Sequence, residues 1–182
     1  MNSKIITLIA VASFVSGSLF AHSKAIKPEY VDMLLKPYFE LQASLSKDDL
    51  DASKNSANKF KAMLGHGPSA EDAPSMEDLG TEAKKITDAS DLATARAAFH
   101  VISKDIGKMV EHVGTTGKQD VYKMSCPMAF QGKGGEWLQD SNSLANPYYG
   151  ASMYSCGSVQ AQLAESNSEK AHDSHGTKNH KH

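Results

Sequence analysis

Residues 92–113, LATARAAFHVISKDIGKMVEHV, decide the fold because their apolar side chains recur at alternating steps of three and four residues. That spacing is typical of an amphipathic α-helix with one buried face. We expect this helix to begin near Ser90 or Asp91 and to end at Gly114. Its apolar positions are Leu92, Ala95, Phe99, Ile102, Ile106, Met109 and Val113.

Three segments upstream have the same helical spacing. The first extends from Pro28 to about Leu45, and Pro37 within it predicts either a kink or the start of a new helix. The second runs to Leu64, and Ser46 followed by Asp49 resembles a capping arrangement at its start. The third is shorter and follows a loop at 65–74. Their apolar positions are Tyr30, Leu34, Tyr38, Leu41 and Leu45; Leu50, Ala57, Phe60 and Leu64; and Met76, Leu79, Ala83 and Ile86.

These helices and their short connections predict an all-α fold, a three- to four-helix antiparallel bundle. Helical spacing is lost after residue 120, where several prolines and glycines disfavour long regular helices. We expect an irregular C-terminal Cys/Met lobe at about 120–158, with a short strand at Val121 to Met124. A brief helix from Val159 to Glu165 is expected to follow.

The first 21 residues have the pattern of a signal peptide. Lys4 provides a basic start, and the apolar run from Ile5 to Val15 is too short to span a bilayer. Cleavage after Ala21 would make His22 the mature N-terminus, and cleavage after Ser18 is an alternative. We therefore expect a periplasmic or secreted protein that has no membrane association after cleavage. Residues 22–165 would form its single domain.

Residues 166–182 are polar and lack apolar periodicity, which predicts a disordered tail. A flexible His-rich tail can bind Cu(II), Ni(II) or Zn(II) weakly, and the alternative is a tail that serves only as a solubilising end. The formal net charge of the whole chain is −2, which gives no basic field that would attract nucleic acid. The candidate ligands in the tail are His172, His175, His180 and His182.

Both cysteines of the chain have a methionine close by in the sequence. Met128 follows Cys126 by two positions, and Met153 precedes Cys156 by three. Thiolate and thioether sulfur atoms select Cu(I) over harder ions. Two cysteines in an exported protein also commonly form a disulfide, and methionine commonly fills gaps in a core. The residues themselves therefore leave a metal site and a Cys126–Cys156 disulfide both open.

The segment that contains these residues resembles a helical domain family of unknown function. The similar residues are Cys126-Pro127-Met128-Ala129, Trp137-Leu138, Asn146-Pro147-Tyr148-Tyr149-Gly150, Met153 and Cys156-Gly157, with Arg96, Phe99 and Ser103 on the long helix. That domain occurs alone in secreted proteins and also fused to periplasmic adaptor subunits of copper/silver efflux pumps. The resemblance implies heavy-metal handling, with Cys126, Met128, Met153 and Cys156 as the matching ligands.

Three further residues have both a structural and a functional interpretation. His100 and His112 lie on the long helix, where a histidine is more often structural, but His100 beside the apolar face is a further candidate ligand. His112 near the helix C-terminus is favoured there when protonated. Trp137 can cover a bound cation, but it more often forms the core of a small lobe.

The sequence contains no motif of a known enzyme class: no Cys-x-x-Cys pair, haem attachment, nucleophile elbow or phosphate-binding loop. The leading hypothesis is a periplasmic protein that binds Cu(I) or Ag(I), acts as a buffer or shuttle, and needs no cofactor to fold. Its partner would be a periplasmic efflux adaptor or another copper protein. The alternative is a helical interaction module that is stabilised by the disulfide and binds no metal.

Overall fold

The computed structural model describes residues 26–68 and 75–167. The predicted signal peptide, His22 and the four tail histidines lie outside these residues. Within them the four long helices are α1 (Pro28–Ser46), α2 (Leu50–Leu64), α3 (Ser75–Asp88) and α4 (Leu92–Val113). The strands are β1 (Val121–Cys126), β2 (Gly135–Gln139) and β3 (Ser158–Ala164). None of the helices in the described residues is long and apolar enough to cross a membrane.

The four helices lie where the spacing of apolar residues predicts them. Helix α1 is continuous through Pro37, so no new helix begins there. Helix α4 ends at Gly114, whose N–H donates to the carbonyl of Val110 over 2.9 Å. Consecutive helices pack against each other, and α1 also contacts α4. The predicted buried faces therefore form the core of a helical bundle.

Two aspartates cap helices of the bundle. Asp91 accepts a hydrogen bond of 2.7 Å from the N–H of Thr94 at the start of α4, which is one of the two predicted starting points. Asp49 accepts one of 2.9 Å from the N–H of Ala52 at the start of α2. The predicted capping arrangement with Ser46 at its first position is wrong, because Ser46 is the last residue of α1. Each aspartate satisfies a backbone donor that has no partner within its helix.

The expectation of an all-α fold is wrong, because a three-stranded antiparallel sheet follows the helices. The strand order is β2-β1-β3, so β1 lies in the centre and pairs with both neighbours. The predicted helix from Val159 to Glu165 is also wrong, since most of it belongs to β3. Pairing with β1 satisfies the backbone groups on one side of β3. Two register shifts in this pairing make β3 an irregular edge strand.

One tyrosine connects the sheet to the bundle. The hydroxyl of Tyr38 on α1 lies 2.8 Å from the hydroxyl oxygen of Ser103 on α4, and it accepts a hydrogen bond of 3.0 Å from the N–H of Leu138 on β2. The Tyr38 ring stacks on Phe99 with 5.3 Å between centroids. Trp137 and Leu138 are buried in the same core as the helices. The sheet and the bundle thus share one hydrophobic core, and the fold is mixed α and β.

Candidate functional site

The two cysteines meet at one end of the sheet. Cys126 is the last residue of β1, and Cys156 lies two positions before β3. Because β1 and β3 are antiparallel, with Ser125 opposite Ser158, the chain brings both cysteines to the same end. Their Sγ atoms are 3.2 Å apart, and both residues are free thiols. Cys126 is fully buried with 0% exposure, whereas Cys156 is only partly buried.

Asn146 holds the loop that leads to Cys156. Its side-chain amide donates a hydrogen bond of 2.8 Å to the carbonyl of Cys156, and its side-chain oxygen accepts one of 2.8 Å from the N–H of Tyr148. Its backbone N–H donates to the carbonyl of Tyr154 over 2.8 Å. The residue is 0% exposed, so these bonds are shielded from water. The contacts of Asn146 thus position the backbone of Cys156.

An ion pair holds the same loop against the helices. Arg96 on α4 pairs with Asp48, which follows α1, and its Nε donates to the carbonyl of Pro147 over 2.8 Å. Asp48 also accepts a hydrogen bond of 2.9 Å from the N–H of Ala151. That bond, and then the bond from Arg96, lower the pKa of the Asp48 carboxyl. The pair therefore anchors both sides of the turn at Gly150, where φ is +57° and a Cβ would overlap the Asp48 carboxylate.

Gly157 allows the residue after Cys156 to lie close to the backbone of β1. Its φ is +133°, which side chains rarely tolerate, and a Cβ here would lie 2.6 Å from the carbonyl oxygen of Ser125. The same Cβ would lie 3.2 Å from the ring of Trp137. Only glycine allows this approach between β1 and the residue that follows Cys156.

The two methionines that are close to the cysteines in sequence differ in their environments. Met128 is 54% exposed, and its carbonyl accepts a hydrogen bond of 2.6 Å from the hydroxyl of Tyr149. Met153 ends a short 3₁₀ helix (Gly150–Met153) and is partly buried. Its carbonyl accepts a hydrogen bond of 3.0 Å from the N–H of Cys156. The backbone of each methionine is thus tied to this loop, and the Met128 side chain extends toward solvent.

His100 lies in an aromatic cluster. Its ring centroid is 4.5 Å from that of Phe130 and 5.7 Å from that of Tyr148. Its Nδ1 is buried and has no hydrogen-bond partner among the described residues. Burial first, and then the charge of Lys104, lower the pKa of His100, although Glu136 opposes this shift. The lowered pKa favours the neutral imidazole, which is the form that can bind a metal.

The same cluster supports a strained turn after Met128. Phe130 and Gln131 have φ values of +52° and +61°, a left-handed conformation that is rare outside glycine. Such residues cost on the order of 1 kcal/mol each and persist when the surroundings hold them. The Phe130 ring packs against His100 and, at 5.1 Å between centroids, against Tyr148. The turn is followed by β2, which begins at Gly135 and pairs there with Cys126.

The remaining candidates occupy structural positions. Trp137 is 1% exposed, and its ring N–H donates to the side-chain oxygen of Gln139 over 3.0 Å, so it forms part of the core. The Nδ1 of His112 lies 2.7 Å from the carbonyl oxygen of Lys108. Across the described residues there is no group of three or more His, Cys, Asp or Glu side chains that could hold a metal ion.

Sequence reasoning missed the Asp48–Arg96 pair. Arg96 is one of the residues that carry the resemblance, but the sequence gives it no role and does not distinguish Asp48 from other acidic residues. Asp48 has a left-handed φ of +60°, and no local pattern in the sequence predicts this conformation. The two residues are 48 positions apart, so only the folded chain reveals the contact.

Comparison with known proteins gives one match. A family model described as a protein of unknown function, DUF3347, matches residues 34–118. This range covers most of α1, all of α2 to α4 and the loop after α4, and it ends before β1 and both cysteines. No curated protein and no solved structure matches the chain. The helical part of the chain is therefore similar to an uncharacterised family.

Proposed function

We propose that the protein binds Cu(I) or Ag(I) at Cys126 and Cys156, with Met128 and Met153 as additional sulfur donors. The observation that supports this proposal is the distance of 3.2 Å between the two thiol sulfurs at the end of the sheet. Sulfur donors favour Cu(I) and disfavour hard cations such as Mg²⁺. In this proposal the protein is a binding protein and not an enzyme.

The cysteine pair fits a soft metal ion with a small adjustment. For a metal–sulfur distance of about 2.3 Å, two sulfurs of a trigonal site lie about 4.0 Å apart. The pair is 3.2 Å apart, so each sulfur moves by less than about 0.5 Å. The partly exposed side of Cys156 provides a path for the ion. Both thiols lose a proton on binding, and the affinity therefore rises with pH.

The thioethers suit an exported metal site for two reasons. They need no deprotonation, and they do not form disulfides. Met128 is 54% exposed and can turn toward an incoming ion without leaving a cavity in the core. His100 is a less favoured ligand, because its ring packs between Phe130 and Tyr148.

The cellular role that we propose is a buffer or shuttle near a metal-efflux system in the periplasm. It rests on the resemblance of the cysteine segment to a domain that is fused to adaptor subunits of copper/silver efflux pumps, and on the signal-peptide pattern at residues 1–21. The partner would be such an adaptor or another copper protein.

A second candidate function is supported by the same distance. Two thiols 3.2 Å apart are also positioned to form a disulfide. A bond between positions 30 residues apart would stabilise the fold by about 3–4 kcal/mol in the chain-entropy model. The protein would then be an interaction module that binds no metal.

Titration of the reduced protein under anaerobic conditions distinguishes the two functions. We expect one Cu(I) or Ag(I) per chain in native mass spectrometry, and we expect the bound ion to protect both thiols from alkylation. Cys156→Ser should abolish this tight binding. If the reduced protein binds no ion more tightly than the Cys156→Ser variant, the metal function is wrong and the interaction module is favoured.

A further inference from the structure

The two thiols differ in their access to solvent. Cys126 is fully buried at the end of the central strand, and Cys156 is only partly buried. The neighbours of Cys156 on both sides, Tyr154, Ser155 and Ser158, are exposed. Cys156 is therefore more accessible to an external molecule than Cys126, which has no exposed surface.

We propose that the reduced pair exchanges with small external disulfides, with Cys156 as the attacking sulfur and Cys126 as the resolving sulfur. In the first step the Cys156 thiolate, after losing its proton to solvent, bonds to one sulfur of the disulfide R–S–S–R. The S–S bond breaks, and R–S⁻ leaves and takes up a proton. In the second step the Cys126 thiolate attacks Cys156 Sγ and displaces the second R–S⁻. The protein loses two electrons and two protons, and the external disulfide becomes two R–SH molecules.

The position of Cys126 favours the second step, so the mixed disulfide between Cys156 and R–S should not accumulate. Its Sγ lies 3.2 Å from Cys156 Sγ, which is a reactive distance for an intramolecular attack. The backbone of Cys156 is held on both sides, by the hydrogen bond from Asn146 to its carbonyl and by the bond from its own N–H to Met153. The attacked sulfur therefore stays close to Cys126 after the first step.

The two segments that contain the cysteines carry no charged side chain of their own. The chain has no charged side chain from Gly150 to Leu163 or from Ser125 to Gln131. The exposed apolar side chains nearby are Met128, Tyr154 and Val159. Charged side chains from other elements lie at the edges of these segments: Glu136 is opposite Ser125 on β2, and the Asp48 carboxylate accepts from the N–H of Ala151.

This inference rests on the same thiol pair as the proposed metal site, but its chemistry needs no metal. Bound Cu(I) or Ag(I) would occupy both sulfurs, so metal binding and exchange exclude each other. An oxidising disulfide would thus release the metal, and metal would protect the dithiol.

The test treats the metal-free, reduced chain with oxidised glutathione in the presence of a chelator and follows intact masses over time. We expect the wild type to lose two hydrogens and to accumulate little glutathione adduct. Cys126→Ser should accumulate one glutathionyl group at Cys156. Cys156→Ser should react at least tenfold more slowly, because its remaining thiol is buried. An adduct that forms on Cys156→Ser as fast as on Cys126→Ser would overturn the proposal.

Peptide mapping of the quenched wild type keeps the test valid if Cys126→Ser does not fold. We expect the earliest glutathionyl group on Cys156, and a first adduct on Cys126 would contradict the assignment. Preloading with Ag(I) should block the reaction if the proposed metal site exists. If glutathione disulfide reacts equally fast with and without Ag(I), the metal site is refuted and this inference stands. If the chain binds Ag(I) but the metal-free dithiol does not react with the disulfide, this inference is refuted and the metal site stands.

Discussion

The side-chain amide of Asn146 donates a hydrogen bond of 2.8 Å to the backbone carbonyl of Cys156. The same side chain accepts from the N–H of Tyr148, so one buried residue joins the start of the loop to its end. The bond to Cys156 involves its backbone and not its sulfur, and it keeps the Cys156 thiol close to that of Cys126. The geometry of the pair depends on this amide.

Asn146→Ala should destabilise the fold and loosen the cysteine pair. The carbonyl of Cys156 and the N–H of Tyr148 would lose their partner, which costs about 1–3 kcal/mol for a buried polar group. We expect this loss in urea unfolding, together with severalfold faster alkylation of Cys126. Asn142→Ala, at an exposed position four residues earlier, is the matched control and should change neither value. Unchanged alkylation in Asn146→Ala would show that the amide does not position Cys156.

Arg96→Lys should release the turn at Gly150. Lysine keeps the charge but cannot donate at once to the Pro147 carbonyl and to the Asp48 carboxylate in the geometry of a guanidinium group. We expect a loss of about 1–2 kcal/mol in unfolding free energy, with the helices intact by circular dichroism. The sensitive measurement is hydrogen exchange at the N–H of Ala151, which should accelerate. Full protection of that N–H in the variant would contradict the role given to Arg96.

The contribution of Asp48 should depend on pH. Its pKa is lowered in the fold, first by the hydrogen bond from Ala151 and then by Arg96, so the charged form is the stabilising one. The contribution is complete above the ordinary pKa of about 3.9 and is lost as pH falls through the lower folded value. Asp48→Asn tolerates the left-handed φ and should be less stable than wild type at pH 7. The free energies of unfolding of the wild type and of Asp48→Asn should converge at acidic pH. A constant difference between them down to pH 2 would contradict the lowered pKa of Asp48 as the cause.

The spacing of apolar residues was sufficient to predict the four helices. For example, the series from Ala95 to Met109 has its 3.6-residue period in the sequence, and the buried face follows it. The sheet was predicted only at β1, which contains the short strand expected at Val121 to Met124. Strand β3 is an edge strand with several exposed side chains, so it lacks the alternation that indicates a strand. Its conformation depends on pairing with β1, almost forty residues earlier in the chain.

The candidate site could be predicted only in part. The clusters of sulfur atoms at Cys126 and Cys156 are visible in the sequence. The segment between them contains turn residues, which bring the chain back to pair with β1. Contacts such as Asp48 with Arg96 could not be predicted, because no local pattern encodes a partner 48 positions away. The difference in burial between the two thiols likewise depends on which cysteine ends the central strand.

The reactivity of Cys156 should rise at a higher pH than that of an ordinary thiol. The hydrogen bond with Cys126 is the largest cause that raises its pKa, and burial adds to it. The thiolate, which is the reactive form, therefore becomes abundant only above the usual value of about 8.5. In Cys126→Ala the profile of alkylation rate against pH should shift to lower pH. A wild-type profile with its midpoint at or below 8 would contradict the hydrogen bond as the cause.

The most direct test of the central claim is a competition titration with a colorimetric Cu(I) chelator under anaerobic conditions. It compares the reduced wild type with Met128→Leu/Met153→Leu, which keeps the apolar volume nearly constant and should change stability by less than about 1.5 kcal/mol. Met33→Leu/Met63→Leu, on α1 and α2, is the matched control. We predict that the wild type and the control compete equally, and that affinity falls by about tenfold or more in the first variant. Equally weak competition by all three proteins would contradict a Cu(I) site at Cys126 and Cys156.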